Sequence, residues 1–290
     1  MIYIIVPVYK RFDTSIRFFN SLNASVIHKV VVVDDGGENI YKEFANSRCN
    51  YDYVLGSGSL FWGGAINLGI THVKTKYSLN EDDFIILAND DVVLREESFE
   101  SLIQSSKLGY DIIHPLVVNS NGFCVSSGSK IVSELLFITK HPFRNMHIND
   151  VTKNKYVKID ILTGRFLIVR ANVFLTFGGI RTEYFQHYGG DSDLGLRLRN
   201  IIDAYLDTNS IVELDTSTTG DNVGTDFTFK KFMKSLFSIR SSNNLRVRVL
   251  LNVLNFNIFV ASINLILLLP TVLCVNIYYF IKNKFRNYKF

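Results

Sequence analysis

FIILANDDVVL, residues Phe84 to Leu94, sets a short apolar run against three polar residues and then resumes the apolar pattern. Ile85 to Ala88 read as a buried strand of a sheet covered on both faces. They run into Asn89, Asp90 and Asp91, after which Val92, Val93 and Leu94 follow. Two carboxylates at the mouth of a core strand repel each other and lose hydration, so they require a cation or hydrogen-bond donors. A turn leading into a helix cap satisfies the same letters, since Glu96, Glu97 and Ser98 suit a helix start. On these eleven residues alone, turn and metal site both remain open.

Outward from this stretch, strand and helix patterns alternate. Ile2–Val6 is a strand that Pro7 is expected to end, because proline lacks the N–H of a ladder. Phe12, Ile16 and Phe19 share one face of a helix that Asp13 or Thr14 can cap. Val30–Val33 is a β-branched run of the kind found in a central parallel strand, and it stops at Asp34, Asp35, Gly36 and Gly37. Tyr53–Leu55 is a short strand before GSGSLFWGG (56–64), and Ile66, Ile70 and Val73 mark the next helix. Phe99, Leu102 and Ile103 face inward on the helix after the opening strand. This order predicts an α/β fold, Rossmann-like, with a mostly parallel central sheet and flanking helices. Ligands of such sheets bind beyond the carboxyl ends of the strands, so Pro7-Val8-Tyr9, Asp34-Asp35 and Asn89-Asp90-Asp91 are expected on one rim.

The second half is less regular. Ile112 and Ile113 lead to His114-Pro115, Asn119–Gly122 is a turn, and Lys140–Lys158 reads as a mobile loop. Gly164–Val169 is a strand, Ala171–Phe177 a short helix stopped by Gly178-Gly179, and Asp191–Ile201 a helix with Leu194, Leu198 and Ile201 on one side. The body is expected to span 1–245 and an apolar, basic tail 246–290.

The chain of 290 residues is 47% hydrophobic and 20% charged, enough for a substantial core. A net charge of +4 without a dense basic stripe argues against a nucleic-acid partner. Lys230, Lys231, Lys234, Arg240, Arg246 and Arg248 gather ahead of the tail, which suits an anionic membrane surface. Three separated cysteines with no CxxC fit a reducing compartment and no zinc or disulfide framework. The N-terminus reads as a first strand, with no basic region or cleavage site of a signal peptide. From Val249 to Ile281 no residue is charged; a helix of roughly thirty residues at ~1.5 Å each is long enough for a bilayer. Pro270 is expected to break it, and five asparagines interrupt it. A soluble helix pair competes with a tail lying in or dipping into the cytoplasmic leaflet; the latter places the protein peripherally on the inner membrane.

Three stretches carry the chemistry. In Val30–Gly37, VVVVDDGG, a carboxylate at a strand end can accept from a base imide or ribose hydroxyl; an acidic turn or a phospho-acceptor domain are the competing readings. GSGSLFWGG begins like a dinucleotide fingerprint, but Phe61 replaces the third glycine, and no Gly-Lys-Ser/Thr supports a Walker loop. Its glycines still allow backbone to approach a phosphate at the helix start, and Trp62 either stacks on a sugar or base or simply packs. Gly189-Gly190-Asp191-Ser192-Asp193 opens a helix, where acids either cap it or present a reactive carboxylate near Tyr184–Tyr188.

Together these motifs resemble family 2 glycosyltransferases of the GT-A fold, bacterial surface-polysaccharide type, over about residues 1–245. IIVPVYKR (4–11) is similar to the family's opening strand and nucleotide loop, and VVVDDGG (31–37) to its acidic motif on the uridine or thymidine side. LFWGGAINLGI (60–70) resembles its Gly/Asn helix start, and LANDDV (87–92) its DxD-type metal motif. LTGRFLIVRANVFLTFGGI (162–180) and YGGDSDLGLR (188–197) resemble the stretch from the acceptor-side glycine to the catalytic "ED". The resemblance implies one inverting displacement, with a nucleotide-diphosphate sugar (UDP- or dTDP-linked hexose or deoxyhexose) as donor. A hydroxyl of a glycan, lipid-linked, is the acceptor, and Mg2+ or Mn2+ the cofactor. By the same resemblance Asp91 is the metal ligand, supported by Asn89 and Asp90, and Asp35 with Asp34 faces base and ribose. Pro7, Val8, Tyr9, Trp62, Gly64, Asn67 and Gly164 line the donor site. Asp191 is the general base, with Asp193 and Arg197 ordering its helix. Two departures from the family pattern follow. Gly190 stands in place of the glutamate of "ED", which leaves Asp193 as an alternative base. ELDTSTTGDN (213–222) holds no metal-ligating histidine, which leaves Asp215 as a substitute ligand. A sugar-phosphate nucleotidyltransferase and a non-catalytic nucleotide-sugar-binding protein are the competing functions; the first lacks its Gly-rich triphosphate loop in PVYKRFD.

Overall fold

The computed structural model describes residues 1–22, 28–95, 98–153, 155–215, 228–239, 241 and 243–286. The helix start expected at Glu96 and Glu97, the stretch beyond Asp215 to Asn222, and Arg240 lie outside the described residues. The first half runs β1 (Ile2–Val8), α1 (Phe12–Ser21), β2 (Lys29–Asp34), α2 (Asn39–Asn46), β3 (Tyr51–Leu55), α3 (Phe61–Tyr77), β4 (Phe84–Ala88), β5 (Val92–Leu94) and α4 (Ser98–Lys107). The second half runs β6 (Ile112–Val118), β7 (Lys130–Ser133), β8 (Ile138–Lys140), β9 (Tyr156–Ile159), β10 (Phe166–Arg170), α5 (Ala171–Phe177), α6 (Gly190–Leu198) and β11 (Ala204–Leu214). Three helices follow: α7 (Phe229–Phe237), α8 (Leu245–Asn255) and α9 (Ile258–Arg286).

One large sheet has the order β3-β2-β1-β4-β10-β6-β11-β5, with β9 also paired to β11. Its strands alternate side chains into two cores. Tyr3, Ile5, Val31 and Val33 pack on the α3 side, while Ile4, Val6, Val30 and Val32 pack toward α1 and α2. Both faces are therefore apolar, which is why these strands read as unbroken β-branched runs.

The sheet is mixed, where a mostly parallel one was expected. β3, β2, β1 and β4 are parallel, as are β6 and β11, but β10 runs antiparallel to both its neighbours and β5 and β9 run antiparallel to β11. Pro7 does not end β1, which continues to Val8 with Pro7 opposite Val33. Pairing with β4 stops at Ile5, so the missing proline N–H falls where one flank is already unpaired. The segment expected as a loop at Lys140–Lys158 instead holds a 3-10 turn at Ile148–Asp150 and β9, anchored by buried Ile148, Val151 and Ile159.

The C-terminal helices beyond residue 245 touch the preceding body. α8 packs on α6, with Val247, Leu250, Leu251 and Leu254 joining Phe185 and Leu196 in one apolar cluster. α9 continues through Pro270 for 29 residues instead of breaking there, because the lost proline N–H removes only one bond of the ladder. Among the described residues, no helix is long and apolar enough to cross a membrane.

Candidate active site

The parallel strands β1, β2 and β4 deliver Val8, Asp34 and Ala88 to one rim. β10 is reversed, so its first residue, Phe166, lies opposite Ala88. The Gly164–Arg165 loop before it therefore reaches the rim as well, and the Asn89 N–H donates to the Arg165 carbonyl at 3.5 Å.

At the end of β2, both aspartates are occupied by the protein. Asp34 is fully buried and accepts from the N–H groups of Gly36, Gly37 and Glu38 at 2.8, 3.0 and 2.8 Å and from the Tyr53 hydroxyl at 3.0 Å. This carboxylate closes its own turn. Burial, with Asp34 as the second cause, pushes the Tyr53 phenol up to about 12. Asp35 accepts from Gly58, Leu60 and Phe61 N–H at 2.7, 2.8 and 3.2 Å, which fixes the 56–61 loop and the start of α3. Asp35 N–H in turn donates to the Val8 carbonyl at 3.1 Å, and Tyr9 beyond it is exposed. At this part of the rim Tyr9 is exposed, whereas Asp34 and Asp35 are buried.

The acidic triplet after β4 divides its labour. Asp90 is buried and held by Arg11 through two nitrogens and by Ser15 Oγ at 2.6 Å. Asp91, also buried, lies 3.8 Å from Arg11 Nη1. Burial pulls the Arg11 guanidinium down, but Asp90 and then Asp91 more than offset it, leaving it above its ordinary value. Asn89 Oδ1 is buried without a hydrogen-bond partner among the described residues.

Arg165 is within electrostatic reach of both Asp91 and Asp191. Burial lowers its guanidinium from the usual value, opposed by the negative charges of Asp91, Asp191 and Tyr188. Asp191, in the first turn of α6, accepts from Gly164 N–H at 2.9 Å and from its neighbour Ser192 N–H at 2.7 Å. Desolvation raises its carboxyl above the ordinary range, against those bonds and the Arg165 charge. A carboxylate with raised proton affinity beside a rim cation is suited to take a proton from a hydroxyl.

Other residues picked from the sequence serve to hold this rim together. Asp193 is fully buried, bonded by Arg181 through two nitrogens and by Asn255 Nδ2 of α8 at 3.0 Å. Both of its carboxylate oxygens are engaged by these partners. Arg197 donates to the Phe177 and Gly179 carbonyls, and Asn67 clamps Ile180, donating to its carbonyl at 2.7 Å and accepting from its N–H at 2.9 Å. Trp62 covers Gly164 so closely that a Cβ there would lie 2.1 Å from its ring, and its Nε1 is buried without a hydrogen-bond partner among the described residues. Trp62 therefore packs, where stacking on a sugar or base was the other reading. Gly64 follows one turn behind, against Leu60. A Cβ at Gly190 would sit 2.5 Å from Ile180 Cγ2, so this fold has no room for the glutamate that the family pattern places there.

Asp215 donates its N–H to the Asp91 carbonyl at 3.0 Å, but its carboxylate turns to Arg17 at 2.6 Å. Among the described residues, no three His, Cys, Asp or Glu side chains converge on a metal position. The hard oxygen donors of Asp91 and Asn89 would suit a divalent ion such as Mg2+ or Mn2+. Arg165, Arg11 and the Arg181–Asn255 pair are the residues that sequence reasoning passed over. A cation directly before the apolar run FLIVR is the one local sign that Arg165 must be matched by buried acids.

The family model "Glycosyl transferase family 2" matches residues 3–173. "Rhamnosyltransferase WbbL" of Escherichia coli (strain K12) is 28% identical over 214 residues, covering 68% of this chain and 76% of that protein. The fold also resembles the crystal structure of GalNAc-T7 with UDP, GalNAc and Mn2+, at a TM-score of 0.56 and 13% identity. That likeness, which concerns the fold, covers 74% of this chain and 43% of the other.

Proposed function

The chain belongs to glycosyl transferase family 2 and is a glycosyltransferase; from that premise we propose an inverting transfer with Asp191 as general base and the space between Asp91 and Arg165 as the seat of the donor diphosphate. The observation that carries this reading is the Gly164–Arg165 loop, which bonds Asp191 through the Gly164 N–H and meets the segment after β4 at Asn89, so that the Arg165 charge acts on both Asp91 and Asp191. Asp191 takes the proton of the acceptor hydroxyl, and the hydroxyl oxygen bonds to the anomeric carbon. The bond from that carbon to the diphosphate oxygen breaks, and its electron pair leaves on the nucleoside diphosphate. Arg11 and Arg165 hold the donor's charge, Gly164 N–H and Ser192 N–H orient Asp191, and the Asp35-anchored loop borders the base. A divalent ion, Mg2+ or Mn2+, supplies further neutralisation of the departing diphosphate when bound at Asp91.

The likeness to a rhamnosyltransferase favours a deoxyhexose donor, dTDP- or UDP-linked. The acceptor is a glycan, lipid-linked, in bacterial surface-polysaccharide or glycolipid synthesis, met at the cytoplasmic face of the inner membrane. Helix α7 supports the membrane part: Phe229, Met233 and Phe237 are exposed beside Lys230, Lys231 and Lys234. The test is Asp191→Asn assayed for donor binding and transfer across UDP- and dTDP-sugars, with and without Mn2+. Transfer is expected to fall roughly 10³-fold with donor affinity kept; transfer at the wild-type rate removes Asp191 from its role.

A further inference from the structure

The small sheet of β7 and β8 stands apart from the central one and exposes an apolar tip. Val132, Leu135, Leu136 and Ile138 are 63, 43, 46 and 48% exposed, a costly display for a four-residue strand and its turn. The hairpin is nonetheless rigidly seated. Ile131 N–H donates to Asp160 at 2.7 Å, Glu134 pairs with Arg199 at 3.0 Å, and the Phe137 ring meets Phe256 edge-on at 5.2 Å. The Glu134 carbonyl accepts from Asn264 Nδ2 at 3.1 Å. Asn264 is thus not a flaw in an apolar helix but the point where α9 grips the turn. The exposed face of α9 carries Ile258, Ile266, Leu269, Leu273 and Ile277, at helical spacing along one stripe. Two segments more than a hundred residues apart in sequence are thus bonded together, and each exposes apolar side chains, those of α9 on the face away from Asn264.

Charge says what this surface meets. Every one of the 27 Asp and Glu residues lies at or before Asp226, whereas ten of the 31 Lys and Arg residues follow it. The segment that includes α7, α8 and α9 is thus purely cationic. The hairpin adds Lys130 and Lys140, paired across its open end and both exposed. The one acid of the hairpin, Glu134, is paired with Arg199, so apolar side chains framed by exposed lysines and a cationic C-terminal segment match anionic headgroups over acyl chains.

We propose that the β7–β8 hairpin is a second bilayer-docking element, inserting Leu135 and Leu136 into an anionic lipid surface alongside α9. Its foot is bonded to Asp160 and Ile161, just before the loop whose Gly164 N–H orients Asp191. Docking through the hairpin therefore sets the height at which a lipid-linked acceptor meets the base, a consequence that rests on the membrane-held acceptor proposed above.

The test is sedimentation of the full chain with phosphatidylcholine vesicles, with and without phosphatidylglycerol, for wild type and for Leu135→Ser/Leu136→Ser. Wild type is expected to bind the anionic vesicles, and the double variant to partition about tenfold less or weaker still. A Leu136→Trp variant, read by quenching from brominated lipid, gives the same answer if the double variant proves unstable. Equal binding by both proteins and no added quenching overturn the hairpin's role and leave the seating of the tail intact. Absence of wild-type binding overturns both. Lipid-free self-association that the double variant abolishes assigns the face to a second copy of the chain and overturns the proposal as well.

Discussion

Acidification should unseat the active-site loop through His114. This side chain is fully buried, with Nδ1 2.6 Å from the Pro115 carbonyl and Nε2 2.6 Å from Thr163 Oγ1. Nε2 also lies 2.9 Å from the Thr163 carbonyl, so each ring nitrogen faces a carbonyl that can only accept, and the neutral ring donates to one of them at a time. Burial, opposed by backbone contacts with Pro115 and Thr163, pushes the imidazole down to about 4. The unfolded chain takes up this proton near pH 6.5, the folded protein only near pH 4, so stability falls as pH drops below about 6.5 and the loss is complete below about 4. That gap corresponds to roughly 3 kcal/mol in all, of which about 2 kcal/mol is lost by about pH 5. Urea unfolding of wild type and His114→Gln at about pH 7.5 and about pH 5 separates this contribution from the other titrating groups, which both proteins share. Wild type should lose about 2 kcal/mol more than the variant over that window. An equal loss in the two refutes the assignment of a depressed imidazole. Because Thr163 leads into Gly164 and Arg165, transfer activity should decline in the same window.

Asp193→Asn should cost about 3 kcal/mol of stability, since it leaves Arg181 facing a neutral partner in a buried site; a denaturant midpoint unchanged from wild type contradicts the ion pair. Gly164→Ala should cost about 2 kcal/mol and depress transfer, because the new methyl displaces Trp62 and the N–H that orients Asp191. Full activity in that variant would show the contact to be slack. Chelation should weaken donor binding to Asp91-intact protein and leave an Asp91→Asn variant little affected, as read by calorimetric titration with the nucleoside diphosphate.

Much of the sheet is legible in the sequence because its central strands have both faces covered. Val30–Val33 and Ile85–Ala88 are apolar at every position, and runs that short and that uniform belong in the middle of a two-sided sheet. The direction of β10 is not legible, since FLIVR buries the same side chains whichever way it runs; only its pairing with Ala88 decides. At the site, position on the rim can be read from strand ends, but not how each acid is satisfied. Asp34 looks like a ligand acceptor in sequence and instead binds three N–H groups within four residues of itself. Asn67 and Asp193 find partners 113 and 62 residues away, at Ile180 and Asn255. Such partners follow from the tertiary fold, and local pattern holds no trace of them. The tail's asparagines look like interruptions because their uses, Asp193 for Asn255 and the hairpin turn for Asn264, lie on other elements.

The bond from Asn255 to Asp193 also decides where the molecule can be cut. A chain stopped after residue 245 loses the amide that completes Asp193 and the leucines that roof Phe185, opening a seam beneath the helix that presents Asp191. One stopped after residue 257 keeps that roof and sheds only α9. The cut at residue 257, twelve residues beyond the motif-bearing stretch, is therefore the one expected to leave a stable, active protein.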